Sequence, residues 1–169
     1  MLKFKIIPLG EVDRGVVNEV CLALEEKFRA RVRVEPPVDL PEEALNKLRN
    51  QYLAVKLIEY LANSYEGRVL GITDKDLYAE GLNFVFGQAQ LNGRAAVLSL
   101  CRLNPEFYGE KEDYTLLIKR ARKEAIHEIG HTLGLTHCTN PSCVMCFSNT
   151  VLDVDKKSED FCKLCKLRL

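Results

Sequence analysis

Apolar and polar positions alternate over residues 2 to 8 and again from Val32 to Pro36, a period of two that predicts strands. Between them, Val17, Val20, Leu24 and Phe28 recur at helical spacing behind Asp13, which is suited to cap an amphipathic helix. The same spacing relates Leu45, Leu48, Tyr52, Leu57 and Leu61. With Pro41 fitting a first helical turn, it predicts a second, longer helix reaching about Tyr65. Arg68 to Thr73 reads as a buried strand, and the stretches Asn83 to Gln90 and Ala95 to Leu100 flank Asn92 and Gly93 as the arms of a hairpin. A third helix is expected from about Lys111 to Leu133 and a loop from 135 to 152. A short last helix follows, capped near Asp153 or Asp155 and burying Phe161, Leu164 and Leu167.

Strands alternating with helices imply parallel pairing through right-handed crossovers, and a hairpin adds an antiparallel strand at one edge. The expected fold class is therefore α/β (α+β), a mixed twisted sheet packed on helices. A chain of 169 residues with 47% apolar content suffices for one domain with its own core. Within it, residues 1–134 would form an N-terminal subdomain with the sheet and the third helix, and residues 135–169 a small C-terminal subdomain. Basic and acidic residues balance at 24 each, so no global field favours nucleic acid or an anionic membrane. The first ten residues lack the apolar stretch of a secretory signal, and nothing later approaches a membrane span. A cytoplasmic monomer with neither a nucleic-acid nor a membrane partner is the resulting expectation.

Seven cysteines without an export signal, and in odd number, argue for metal binding over a disulfide framework. Cys138, Cys143, Cys146, Cys162 and Cys165 all fall in the last 32 residues. Cys21 and Cys101 stand alone in apolar surroundings and are expected to be buried packing residues.

The chain has three histidines, and all lie in the segment HEIGHTLGLTH. His127 and His131, four apart on a helix, share one face with Cβ atoms about 5–6 Å apart, which suits a two-point chelate. A continuing helix would carry His137 about 240° further round, to the far side. Gly134 offers the left-handed cap that lets the chain turn back and return His137 to the metal. Three neutral nitrogens leave the fourth tetrahedral position open to water, the arrangement of a catalytic zinc. Glu128, beside the first ligand, is placed to take that water's proton as it attacks a peptide carbonyl. The histidine spacing also serves in a family of bacterial endoribonucleases. Those lack the glutamate, so Glu128 and the neutral charge favour peptide over RNA.

HEIGHTLGLTHC, followed by Cys143, Met145, Asp155 and the FCKLC of residues 161 to 165, resembles the archaemetzincins. The resemblance covers about 40 residues directly and implies a zincin/metzincin-like fold with catalytic zinc on His127, His131 and His137 and Glu128 as base. It further implies a methionine turn at Met145, and a second, structural zinc on Cys138, Cys143, Cys162 and Cys165 that staples the C-terminal subdomain. Spacing alone favours a different fourth ligand, since Cys143, Cys146, Cys162 and Cys165 spell C-x2-C-x15-C-x2-C. The resemblance is followed here, which leaves Cys146 as a spare thiol. In metzincins the antiparallel edge strand pairs with extended substrate, which makes Asn83 to Gln90 the expected docking strand. Rival readings are a catalytically silent or occluded zinc-binding interaction protein and a metal-dependent hydrolase of another substrate such as RNA. Glu128 speaks against a silent protein, because a chain freed from catalysis has no physical need of a carboxylate there.

Overall fold

A computed structural model describes residues 1–169. In chain order the elements are β1 (Lys3–Leu9), α1 (Arg14–Phe28), β2 (Arg31–Val34), β3 (Leu45–Asn46), β4 (Gln51–Leu53), α2 (Ala54–Ser64), β5 (Arg68–Thr73) and β6 (Leu77–Tyr78). These are followed by β7 (Gly87–Ala89), β8 (Ala95–Ser99), α3 (Tyr114–Thr132), α4 (Val151–Lys156) and α5 (Lys163–Leu167).

Five strands form one sheet in the order β2-β1-β5-β8-β7, parallel throughout except for β7, which runs antiparallel to β8 at the edge. The mixed sheet expected from the sequence is present. Side-chain alternation divides the apolar residues between its faces. Phe4, Ile6, Leu70, Ile72, Ala96 and Leu98 meet α1 and α3, while Ile7, Leu9, Val69, Ala95 and Val97 meet α2. Gly71 has no side chain to place, and a Cβ there would stand 2.7 Å from Leu61, so α2 rests directly on the backbone of β5.

Helix α1 begins where expected: the Asp13 carboxylate accepts the Val16 N–H at 3.0 Å and the Tyr114 hydroxyl at 2.6 Å, tying the start of α1 to the start of α3. Arg120, almost fully buried on α3, makes a two-pronged contact with Asp155 at 2.8 Å and donates to the Leu103 carbonyl at 2.9 Å. Arg122 on the same helix reaches Glu19, Glu26 and Glu159. Through these arginines α3 holds both α1 and the C-terminal segment.

The long second helix is corrected by the structure. Only Ala54–Ser64 is helical. Glu42–Ala44 is a single 3-10 turn, β3 and β4 form a small hairpin, and Asn50 between them takes a left-handed φ of 52°. Leu48, a member of the helical stripe by spacing, is fully exposed. Tertiary hydrogen bonds override the local pattern: the Tyr52 N–H donates to the Asp76 carbonyl, and the Gln51 amide donates to the Asp76 carboxylate and the Asn83 carbonyl, all at 2.9 Å.

Two further expectations change in extent. The first hairpin arm shortens from Asn83–Gln90 to Gly87–Ala89, and Asn92 takes the left-handed conformation, with φ 53°. The single last helix is two. Helix α4 starts after Thr150, where Asp153 accepts the N–H groups of Asn149 and Thr150, and α5 buries Cys165 while Leu164 and Leu167 are exposed. Phe161 is buried against Phe28, as expected for a core anchor. No helix is long and apolar enough to cross a membrane.

Candidate metal centres

Helix α3 ends at Thr132 with Leu133 as its cap, and Gly134 at φ 97° reverses the chain, with the Leu135 N–H closing on the Gly130 carbonyl and the Gly134 N–H on that of His131, both at 3.0 Å. This is the turn that the sequence required. It brings His137 back over the helix, so that a ligand nitrogen from each of His127, His131 and His137 lies within 4.8 Å of the other two.

Hydrogen bonds fix which nitrogen each ring presents. His127 Nδ1 meets the Val144 carbonyl at 2.8 Å and His131 Nδ1 meets the Leu135 carbonyl at 2.7 Å. A carbonyl only accepts, so both Nδ1 atoms carry the proton and both Nε2 atoms keep a lone pair. Those Nε2 atoms are 3.0 Å apart. Two facing lone pairs at that distance repel unless a cation lies between them, and tetrahedral zinc with bonds of about 2.0–2.1 Å would set them about 3.3 Å apart. Burial pushes the pKa of all three imidazoles down, most of all that of His127, and Lys157 adds to the effect. The neutral form that a metal requires is thus favoured. The donor set fits zinc.

Glu128 is buried beside His127, and burial raises its pKa well above the usual carboxylate range; the nearby Glu124 carboxylate reinforces the rise and Lys157 opposes it. Edge strand β7 runs directly over this side chain. A Cβ on Gly87 would stand 2.9 Å from both Cγ and Oε1 of Glu128 and 2.7 Å from the Val97 carbonyl oxygen, so only glycine allows the approach. Between the segment that leads into β7, the α3 ligand face and residues Phe147 to Asn149 lies a cleft of about 630 Å3, and all three histidines and Glu128 are on its wall. Met145 is fully buried against α3, and its carbonyl accepts the Cys138 N–H at 3.0 Å.

The sulfurs of Cys138, Cys143, Cys162 and Cys165 also gather within 4.8 Å of one another. Cys138 and Cys162 are 3.7 Å apart, close to the roughly 3.8 Å that tetrahedral zinc with bonds of about 2.3 Å demands. The Cys165 N–H is the main reason the Cys162 thiol is lowered to about 7, whereas burial raises the Cys143 and Cys165 thiols; the Cys138 and Cys143 sulfurs accept from the Asn140 and Cys162 N–H groups. Cys146 is outside the group. Its backbone lies beside that of Cys138, but its sulfur turns to the Phe147 carbonyl. Cys21 and Cys101 are half-buried, not fully buried as expected, and lie apart from both groups.

Other residues of the site escaped sequence reasoning. Glu124 was legible in principle, since it precedes Glu128 by one helical turn on the same face. Lys157 stands in the charged run DVDKKSED, with nothing local to mark it as buried. Gly87 is one of ten glycines, and only its contact with Glu128 sets it apart.

Comparison with known proteins identifies the family. The model of peptidase family M54 matches residues 10–169. The archaemetzincin of Methanocaldococcus jannaschii is 44% identical over all of this chain and 93% of its own length. The crystal structure of the archaemetzincin from Archaeoglobus fulgidus, 42% identical, superposes with a TM-score of 0.90 over 99% of this chain and all of its own. That of a zinc-dependent peptidase from Methanocorpusculum labreanum, 30% identical, gives a TM-score of 0.89 over 98% of each chain. A family match over nearly the whole chain, with relatives similar along their full lengths, leads to one conclusion: the chain belongs to peptidase family M54, the archaemetzincins, and is a zinc metallopeptidase.

Proposed function

We propose that the protein hydrolyses peptide bonds at a zinc ion held by His127, His131 and His137, with Glu128 as general base. The observation that carries this reading is the pair of imidazole Nε2 atoms 3.0 Å apart beside a buried carboxylate in a cleft. Zinc, when bound, supplies a polarising charge for the scissile carbonyl and an acidified water. Glu128 accepts the proton of the attacking water and returns it to the leaving amine, so its carboxylate is unchanged over the cycle. The carbonyls of Val144 and Leu135 hold the imidazoles in their ligand tautomers. Edge strand β7 offers its free backbone groups to an extended peptide beside Glu128.

In this reading a second zinc occupies Cys138, Cys143, Cys162 and Cys165, giving two per chain, and staples residues 135–169 as a C-terminal subdomain. Every ligand comes from one chain, so a monomer suffices. Seven cysteines, none of them in a disulfide, fit a reducing compartment such as the cytoplasm. The balanced charge gives no support to a nucleic-acid substrate.

Metal content and cleavage of a mixed peptide library, measured together, test the proposal. Wild type should carry two zincs and H131A one, while E128A should keep both and lose about 10²–10⁴-fold in cleavage rate. Two zincs in a wild type that cleaves nothing would sink the peptidase mechanism and leave a zinc-binding interaction protein.

A further inference from the structure

Residues 82–86, between β6 and β7, form one wall of the cleft and lead into the edge strand that runs over Glu128. They lie outside the strands, and of their side chains only that of Phe86 is fully buried, while Leu82 is exposed. A segment with so little buried apolar surface is not held in place by packing of its own.

A continuous chain of hydrogen bonds holds it instead, built from four side chains that do not line the cleft. Arg102 grips the Asp76 carboxylate through two bonds of 2.9 Å. The Gln51 amide donates to the same carboxylate and to the Asn83 carbonyl, both at 2.9 Å, and its oxygen accepts from Arg49 Nε at 2.7 Å. Arg49 Nη2 then donates to the carbonyls of Leu82 and Asn83 at 2.8 and 3.1 Å. Both ends of the chain meet the wall, because the Arg102 guanidinium also lies 4.3 Å from the centre of the Phe84 ring, which packs edge-on against Phe86. Gln51 is almost fully buried, yet both ends of its amide are satisfied within this chain. The four residues come from β4 and the turn before it, from the residue preceding β6 and from the turn after β8, so three stretches of sequence converge on one short segment.

We infer that Arg49, Gln51, Asp76 and Arg102 are positioning residues for peptide binding, which hold the wall of residues 82–86 and the start of β7 where an extended peptide can pair beside Glu128. A wall fixed in advance spares the peptide the ordering cost that a loose one would impose on binding. The chain grips the wall through backbone carbonyls and one ring, so it serves any extended peptide and selects no particular side chain. None of its hydrogen bonds reaches a candidate metal ligand, so zinc binding does not depend on it. This inference rests on the proposed peptidase reading and identifies what sets substrate affinity within it.

The test compares two hydroxamates by calorimetry on zinc-loaded protein: acetohydroxamic acid, which offers a metal ligand and no peptide, and the hydroxamate of tri-alanine, which adds an extended backbone. Wild type should bind the second more tightly. Arg49→Met and Arg102→Met, at the two ends of the chain, should each weaken the tri-alanine compound about 10-fold and leave acetohydroxamic acid within about twofold, with the zinc count of wild type. Arg49→Lys keeps the charge and loses the planar fork, so it should resemble Arg49→Met. General destabilisation would weaken both compounds or neither, so the split between them reports the place of the wall. Unchanged affinity for the tri-alanine compound in either Met variant, equal loss of both compounds, or a wild type that binds the two alike would overturn the inference. An Arg49→Lys protein equal to wild type would overturn it as well, since charge and not geometry would then be at work. Failure of the peptidase reading shows separately, as the expected pattern of affinities in a protein that cleaves no peptide.

Discussion

Gly130 faces Met145 so closely that a Cβ added to the glycine would stand 2.6 Å from the methionine sulfur. The turn of α3 between His127 and His131 therefore rests on Met145 with nothing interposed. On an exposed helix, Gly→Ala stabilises by about 0.8–1.0 kcal/mol, whereas forcing a methyl into a filled core costs about 1–3 kcal/mol. The clash should win here. Gly130→Ala is expected to melt lower than wild type and to bind zinc more weakly at the histidine site, as read by denaturant titration and chelator competition. A variant more stable than wild type, with unchanged zinc affinity, would show that the contact relaxes freely.

Cys162→Ser and Cys146→Ser should part company. The first removes a sulfur from the four-cysteine group, so it should lose one zinc per chain and melt well below wild type, with any loss of cleavage secondary. The second removes a thiol that points elsewhere and should keep both zincs. Zinc counting by mass spectrometry under native conditions decides the matter. A Cys146→Ser protein short of one zinc would reinstate the ligand set favoured by spacing alone.

Asp13 gives a pH-dependent prediction. Its carboxylate is held below the usual range, chiefly by the Tyr114 hydroxyl and then by the Val16 N–H. A group whose folded pKa is depressed stabilises fully above its unfolded value, near 3.9, and loses that contribution as pH falls through the folded value. Asp13→Ala should cost about 1 kcal/mol at pH 7, and the gap to wild type should narrow as pH falls below about 4. Asp13→Asn, which caps without charge, should show a flatter trend. Urea melts across that range measure both, and a gap for Asp13→Ala as wide at pH 3 as at pH 7 would remove the carboxylate from the account.

Much of this was legible in the sequence wherever a local pattern encodes geometry. All five strands of the main sheet, α1 and α3 follow from local patterns (alternation, a buried apolar run, a hairpin signal and helical spacing), and the histidine spacing together with Gly134 dictates the turn that brings His137 back. The failures share a physical cause. Leu45, Leu48 and Tyr52 continue a helical stripe, but Leu48 falls in a turn, and Asp76 and Asn83, distant in sequence, supply the hydrogen bonds that hold Gln51 and Tyr52 as a strand. Cys138 and not Cys146 joins the cluster of four sulfurs because of the direction in which each side chain leaves two adjacent backbones, which sequence spacing does not carry. The ion pair of Glu124 and Lys157 joins residues 33 positions apart, and neither neighbourhood announces it.

The two faces of the sheet also differ in when they can form during synthesis. The core against α2 closes with residues no later than Val97, whereas the core against α1 and α3 draws on residues out to Cys165. All seven candidate metal ligands lie between His127 and Cys165, on that second side. A chain leaving the ribosome can thus complete one face of its sheet before any ligand has emerged. With zinc at both groups as proposed, metal supply would govern the finishing of the molecule and not its beginning, and a cell short of zinc would accumulate chains with an ordered sheet and an unfinished cleft.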